Sequence, residues 1–306
     1  MTQMIDPSRA RLRRRWSLRR RHRRALPPMS VIPTLCTLGN LIAGFAAIHF
    51  AAREPWVRVL KDDWMWTPLT FAGALVFLGM FLDAIDGTLA RLTRSTSELG
   101  GQLDSLADVV TFGVAPAFMT LRLVHNHLSS EGLVIGPDAD LFGKVIWCAA
   151  AVYVSCAALR LARFNVEVGN DKANDHSLFR GLPSPGAAGT VASLIVLHQH
   201  LMVSYADTGA ALQIGKWSTL VIPLALLLCA FGMVSSIPYI HFANRYFRGR
   251  RSYAYVVRLV IISVLLITWF QATLALGFVV YALSGPVRLL MHRIKHRKPP
   301  AVSTSG

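Results

Sequence analysis

Acidic residues are scarce in this chain: 16 of its 306 residues are Asp or Glu, against 32 Lys and Arg, and charged residues make up only 16%. A soluble domain of this length carries more charge and fewer apolar runs, so that class is excluded first. Cysteine is also sparse. Cys36, Cys148, Cys156 and Cys229 all sit in apolar segments, and none belongs to a Cys-x-x-Cys pair. That spacing argues against zinc and disulfide frameworks and leaves small buried packing residues as the plain reading. No internal repeat and no separate soluble domain stand out. The apolar run nearest the start comes too late, and is too long, for an ordinary cleaved signal peptide.

What is abundant is apolar. Hydrophobic residues reach 53%, with a mean hydropathy of +0.44, and they gather into blocks of membrane-spanning length. The pattern predicts an all-α polytopic membrane helical bundle of about eight transmembrane helices. The first six cover about Val31 to Ala52, Pro68 to Leu92, Leu103 to Leu123, Lys144 to Phe164, Pro185 to Val203 and Trp217 to Ile237. The last stretch, Tyr253 to Leu290, is too long for one crossing at about 20 residues per helix. It is split here near Thr268 to Gln271; a single long helix plus an interfacial segment is the alternative.

Basic residues orient the bundle. The arm from Arg9 to Arg24, the Arg91 to Arg94 loop, the Arg160 to Arg180 loop, the Arg245 to Arg251 loop and the Arg288 to Lys298 tail are rich in Lys and Arg. The intervening loops carry fewer, offset in two of them by Glu54, Asp62, Asp63, Asp138 and Asp140. The alternation obeys the positive-inside rule with both termini cytoplasmic, which requires an even number of spans. The expected organisation is a basic arm over 1–30, a membrane domain over 31–290 and a basic, unstructured tail over 291–306. The arm directly precedes an apolar span, so attraction to anionic headgroups is the simpler reading and no nucleic acid is expected.

Against this background the second span ends unusually, in LVFLGMFLDAIDGTLARL. Ionised carboxylates in or near hydrocarbon are costly and are functional by default. Asp83, Asp86, Gly87, Ala90 and Arg91 fall on one helix face by their spacing. Gly100, Asp104 and Asp108, four apart, share a face of the next helix. A short connection, Thr93 to Leu99, allows the two helices to be antiparallel neighbours whose four carboxylates converge. Such mutual repulsion makes sense if divalent cations sit among them. Hard oxygen ligands, with no thiolates or paired histidines nearby, favour Mg²⁺, Mn²⁺ or Ca²⁺ over zinc. Two ions would balance four carboxylates, and two-metal sites suit phosphoryl chemistry. The glycines would let a ligand approach the backbone, and Arg91 could fork onto a phosphate. The alternatives are an ion-pair network with Arg91 and Arg94, or an ion pathway; the pathway does not need the interleaved glycines and arginine.

The run DAIDGTLARLTRSTSELGGQLDSLAD fits D-x2-D-G-x2-A-R-x8-G-x3-D-x3-D without a gap or a substitution, and so resembles the signature of the CDP-alcohol phosphotransferases. Three further segments are similar to the phosphatidylserine synthase branch of that family. They are IPTLCTLGN with Pro33, Thr37 and Asn40, ALRLARFN from Ala158 to Asn165, and FRGLPSPGAA from Phe179 to Ala188. The likeness runs from the first span through the fifth; the last three spans match only in hydropathy. The resemblance implies a membrane enzyme that joins CDP-diacylglycerol to L-serine, giving phosphatidylserine and CMP. It implies two divalent ions, Mg²⁺ or Mn²⁺, held by Asp83, Asp86, Asp104 and Asp108, with Asp108 also the general base. Gly87, Ala90, Arg91 and Ser97 would bind the CDP-diacylglycerol, with Asn40 bordering the nucleotide. It further implies a homodimer, a bacterial-type inner (cytoplasmic) membrane location and a site facing the cytoplasm.

Other residues have plainer readings beside the functional one. Arg160 and Arg163 are either snorkelling anchors or contacts to the serine carboxylate or a phosphate. Arg180, Pro183, Ser184 and Pro185 are expected to form a rigid loop into the fifth helix, the prolines suiting a helix start. Arg258 snorkels or pairs with a lipid phosphate. His198 and His200 lie on different helix faces, which disfavours a shared metal. Gly73, Gly79 and Gly113 would allow close helix packing. The competing functions are a sibling transferase using glycerol 3-phosphate or inositol phosphate, whose acceptors should call for a denser cationic pocket, a divalent-cation transporter, and a membrane-tethered nucleic-acid binder using the arm.

Overall fold

A computed structural model of the chain describes residues 31–54, 66–93, 98–128, 135–169, 181–237, 239 and 253–295. The arm, most of the tail, Arg180 and Ser97 lie outside the described residues. The elements are helical: α1 (Val31–Ala51), α2 (Pro68–Thr93), α3 (Glu98–Asp108), a π-helical segment (Val109–Val114), α4 (Ala115–Leu128), α5 (Leu141–Gly169), α6 (Ser184–Ser204), α7 (Ala210–Val234), α8 (Tyr253–Thr268) and α9 (Phe270–Lys295). No strand occurs among the described residues.

Among the described residues, seven segments are long and apolar enough to cross a membrane, the third of them being the 30-residue run Leu99–Leu128 through α3, the π-helical segment and α4. The chain is an integral membrane protein of the expected helical class. The final apolar stretch does divide, at Trp269, between α8 and α9. However, α8 has only 16 residues, about 24 Å at 1.5 Å per residue against a hydrocarbon core of about 30 Å. The seventh expected span is therefore a shorter apolar helix within the described residues, while the eighth, α9, is long enough to cross.

Apolar sequence forms helices here because hydrocarbon offers no partner for a free N–H or C=O. Hydroxyl side chains follow the same logic and fold back onto carbonyls four residues earlier, as in Thr37 to Pro33, Thr120 to Pro116 and Thr190 to Gly186. Large apolar side chains such as Phe45, Leu228 and Ile267 face outward, as lipid-exposed residues do. Small residues let the helices close up. A Cβ on Gly73 would come within 2.5 Å of Val196 Cγ2, one on Gly79 within 2.5 Å of Thr111 Cγ2, and one on Gly113 within 3.3 Å of Ala157 Cβ. The expected packing role of these glycines is met. The cysteines correct the expectation in part: all four are free, but only Cys229 is buried and Cys148 is exposed.

Two features of the bundle bear on the site. α1 packs along α2 and against α3 and the π-helical segment, so it reaches both acid-bearing helices. The second feature is the chain before α6. Gly181 adopts φ +95°, a conformation open to glycine, and donates its N–H to Ile237 O at 2.9 Å, while Leu182 N–H reaches Gly232 O at 2.8 Å. Pro183 then caps α6, with a proline in its first turn, as the expected rigid loop requires. Tyr239 is buried and donates its hydroxyl to Ala282 O at 3.0 Å.

Candidate active site

Asp83 and Asp86 stand on α2, Asp104 and Asp108 on α3. Three of these acids converge closely: Asp83, Asp104 and Asp108 each offer a carboxylate oxygen, all within 4.8 Å of one another. Asp86 lies close enough to interact electrostatically with the other three, but its own carboxylate is buried and turned to α1. There Thr37 donates its hydroxyl to Asp86 Oδ2 at 2.9 Å. One atom stands out: Asp104 Oδ1 is buried with no hydrogen-bond partner among the described residues. A buried carboxylate oxygen without a donor, beside two further carboxylates, has the chemistry of a hard-cation ligand set.

Asn40, on α1, packs against the acids of α3. It has no exposed surface and donates Nδ2–H to Asp108 Oδ1 at 3.1 Å. Its backbone carbonyl accepts the Thr111 hydroxyl at 2.9 Å. Thr111 belongs to the π-helical segment that starts at the residue after Asp108. A π-helix displaces the regular ladder and exposes carbonyls to other donors; Phe112 O is taken by the Tyr153 hydroxyl at 3.0 Å.

Gly87 is exposed, and a Cβ built there would meet nothing within 4 Å. The helix surface beside Asp86 is thus uncrowded at this position. Ala90 and Arg91 continue α2, but their side chains, like that of Arg258, fall outside the described residues.

The two arginines of α5 differ. Arg163 is exposed. Arg160 is partly buried and donates Nη1–H to Ser184 Oγ at 2.7 Å, while its buried Nε has no acceptor among the described residues. It lies within electrostatic reach of Asp108 and Tyr281. A second link to α5 was not singled out from sequence: Asn165 donates Nδ2–H to Ser105 Oγ at 2.9 Å, tying α3 between Asp104 and Asp108. The polar Asn165 beside Arg163 was its only signal. His198 pairs not with His200 but with His127, at 3.0 Å between Nε2 atoms.

The CDP-alcohol phosphatidyltransferase family pattern matches residues 30–239, more than half of the chain. Three relatives bear the name CDP-diacylglycerol–serine O-phosphatidyltransferase. The Helicobacter pylori (strain J99) protein is 33% identical over 170 residues, 56% of this chain and 59% of that one. The Bacillus subtilis protein is 30% identical over 181 residues, 59% of this chain and 84% of that one. The Methanocaldococcus jannaschii protein is 32% identical over 215 residues, 70% of this chain and 84% of that one. The chain thus spans about three fifths of the Helicobacter relative's length.

Proposed function

We propose that this chain, which belongs to the CDP-alcohol phosphatidyltransferase family, transfers the phosphatidyl group of CDP-diacylglycerol to the hydroxyl of L-serine. The observation that carries the reading is the convergence of Asp83, Asp104 and Asp108 within 4.8 Å on helices that also bear the uninterrupted acidic signature. The names of the relatives support serine as the acceptor.

The acids divide the work. Asp83, Asp86 and Asp104, with Asp108 in part, would hold divalent ions, Mg²⁺ or Mn²⁺. When bound, such ions supply charge neutralisation at the diphosphate. Asp108 takes the proton of the serine hydroxyl as that oxygen attacks the phosphorus bearing the diacylglycerol. One P–O bond forms to serine, the P–O bond to CMP breaks, and CMP leaves with the electron pair. The fixed positions of the signature include no Ser, Thr, Cys or His to serve as a nucleophile, so the displacement is read as direct. Gly87 keeps the α2 surface open for the nucleotide, and Ala90, Arg91 and Ser97 complete that side by the family pattern. Arg160 is the better placed of the two arginines to receive the serine carboxylate, because its partly buried guanidinium still has an unused donor. A site at the cytoplasmic boundary lets lipid enter from the bilayer and serine from water. The homodimer belongs to the same proposal, and native mass spectrometry tests it.

The deciding experiment supplies purified protein with CDP-diacylglycerol, Mg²⁺ or Mn²⁺, and labelled serine, glycerol 3-phosphate or inositol phosphate in turn. CMP release and lipid labelling are expected with serine. Turnover with another acceptor alone moves the chain to a sibling activity; no CMP with any acceptor ends the transferase reading.

A further inference from the structure

Asn40 is buried completely, and the one hydrogen bond described for its Nδ2 goes to Asp108. Its environment explains how that donor is aimed. The Thr111 hydroxyl binds the Asn40 carbonyl, which fixes the backbone of α1 at this turn. The Asn40 Oδ1 atom has no partner among the described residues and faces Gly79, where a Cβ would lie 2.7 Å away. The amide oxygen thus faces Gly79 and the Asn40 main chain is fixed by Thr111, while Nδ2–H is directed at one oxygen of Asp108.

The connectivity closes a loop. Asp108 ends α3, and Thr111 lies three residues on, inside the π-helical segment. Thr111 holds Asn40, and Asn40 holds Asp108. The π-helical geometry therefore sets the position of Thr111 relative to Asp108, and α1 converts that position into an orientation of the carboxylate. We infer that Asn40 and Thr111 are positioning residues that tie down Asp108 Oδ1 and present Oδ2 to the acceptor hydroxyl. Both act through Asp108. This inference rests on the reading of Asp108 as the base.

Three variants test it: Asn40→Leu, which replaces the amide with an apolar side chain of similar size, Thr111→Val, which removes the hydroxyl, and Thr111→Ser, which keeps it. Each is measured for kcat and for KM of serine and CDP-diacylglycerol, and for Mn²⁺ binding by electron paramagnetic resonance without substrates. A charge-assisted hydrogen bond of this kind corresponds to roughly 10- to 100-fold in rate. The expected result is a kcat loss of about that size for Asn40→Leu, with both KM values within about threefold and Mn²⁺ still bound. Thr111→Val should lose about tenfold and Thr111→Ser less than about twofold. An unchanged kcat in Asn40→Leu, or equal rates for Thr111→Val and Thr111→Ser, overturns the inference. If Asn40→Leu fails to fold, the Thr111 pair decides alone. Absence of CMP release from the unaltered protein would instead refute the proposed reaction and is read separately.

Discussion

Arg160 on α5 and Ser184 at the start of α6 are joined by a 2.7 Å hydrogen bond. That bond holds one end of the guanidinium against the rigid Gly181–Pro183 connection and leaves Nε free of any described acceptor. A guanidinium anchored at one edge is pre-oriented to fork a carboxylate with the other. Arg160→Lys should therefore raise the KM for serine by roughly tenfold, since lysine cannot reproduce the fork, while the KM for CDP-diacylglycerol stays within about threefold. Initial-rate kinetics with both substrates varied check this. An unchanged serine KM would assign Arg160 a purely structural part.

Thr37 should matter through Asp86. Its single hydroxyl proton is shared between Pro33 O and Asp86 Oδ2, so Thr37→Val removes that donor from a buried carboxylate. Mn²⁺ affinity, read by titration of the substrate-free protein, should change by about tenfold or more, whereas Thr37→Ser should stay within about twofold of the native value.

Gly79 is constrained from two sides, by Thr111 Cγ2 at 2.5 Å and Asn40 Oδ1 at 2.7 Å from a built Cβ. Gly79→Ala should cost about 1–3 kcal/mol through overpacking. Thermal unfolding in detergent measures the loss. Adding Thr111→Ser removes the interfering methyl group, so the double variant should unfold at a higher temperature than Gly79→Ala alone.

The His127–His198 pair lies far from the acids along the bundle. His198 is 14 residues beyond Ser184 on α6, about 21 Å at the helical rise. The rings meet edge to face, with centroids 5.0 Å apart, and Gly215 leaves room for His127. His198→Ala should destabilise the fold by about 2 kcal/mol or more, from a cavity and a lost hydrogen bond. The kcat of the surviving folded protein should remain within about threefold. A selective loss of kcat at unchanged stability would show that this pair communicates with the site.

Much of this protein was legible along the chain because membranes impose a simple code. Hydrocarbon forces backbone hydrogen bonds inward, so apolar length alone placed α1 to α7 and the division near Trp269. The price of charge in such surroundings marked Asp83, Asp86, Asp104 and Asp108 before any contact was known, and helical spacing put them on two faces. Side-chain partners across helices obey no such spacing. That Asn40 serves Asp108, that Thr37 serves Asp86, that Asn165 ties down Ser105, and that His198 meets His127 rather than His200 depend on how helices rotate and approach. Those approaches are set by Gly79, by the π-helical segment after Asp108 and by interdigitating side chains. The sequence by itself determined the spans and the acids that converge; only tertiary packing decided that Thr37 holds Asp86 Oδ2, that Asn40 holds Asp108 Oδ1 and that Asp104 Oδ1 is buried without a described partner.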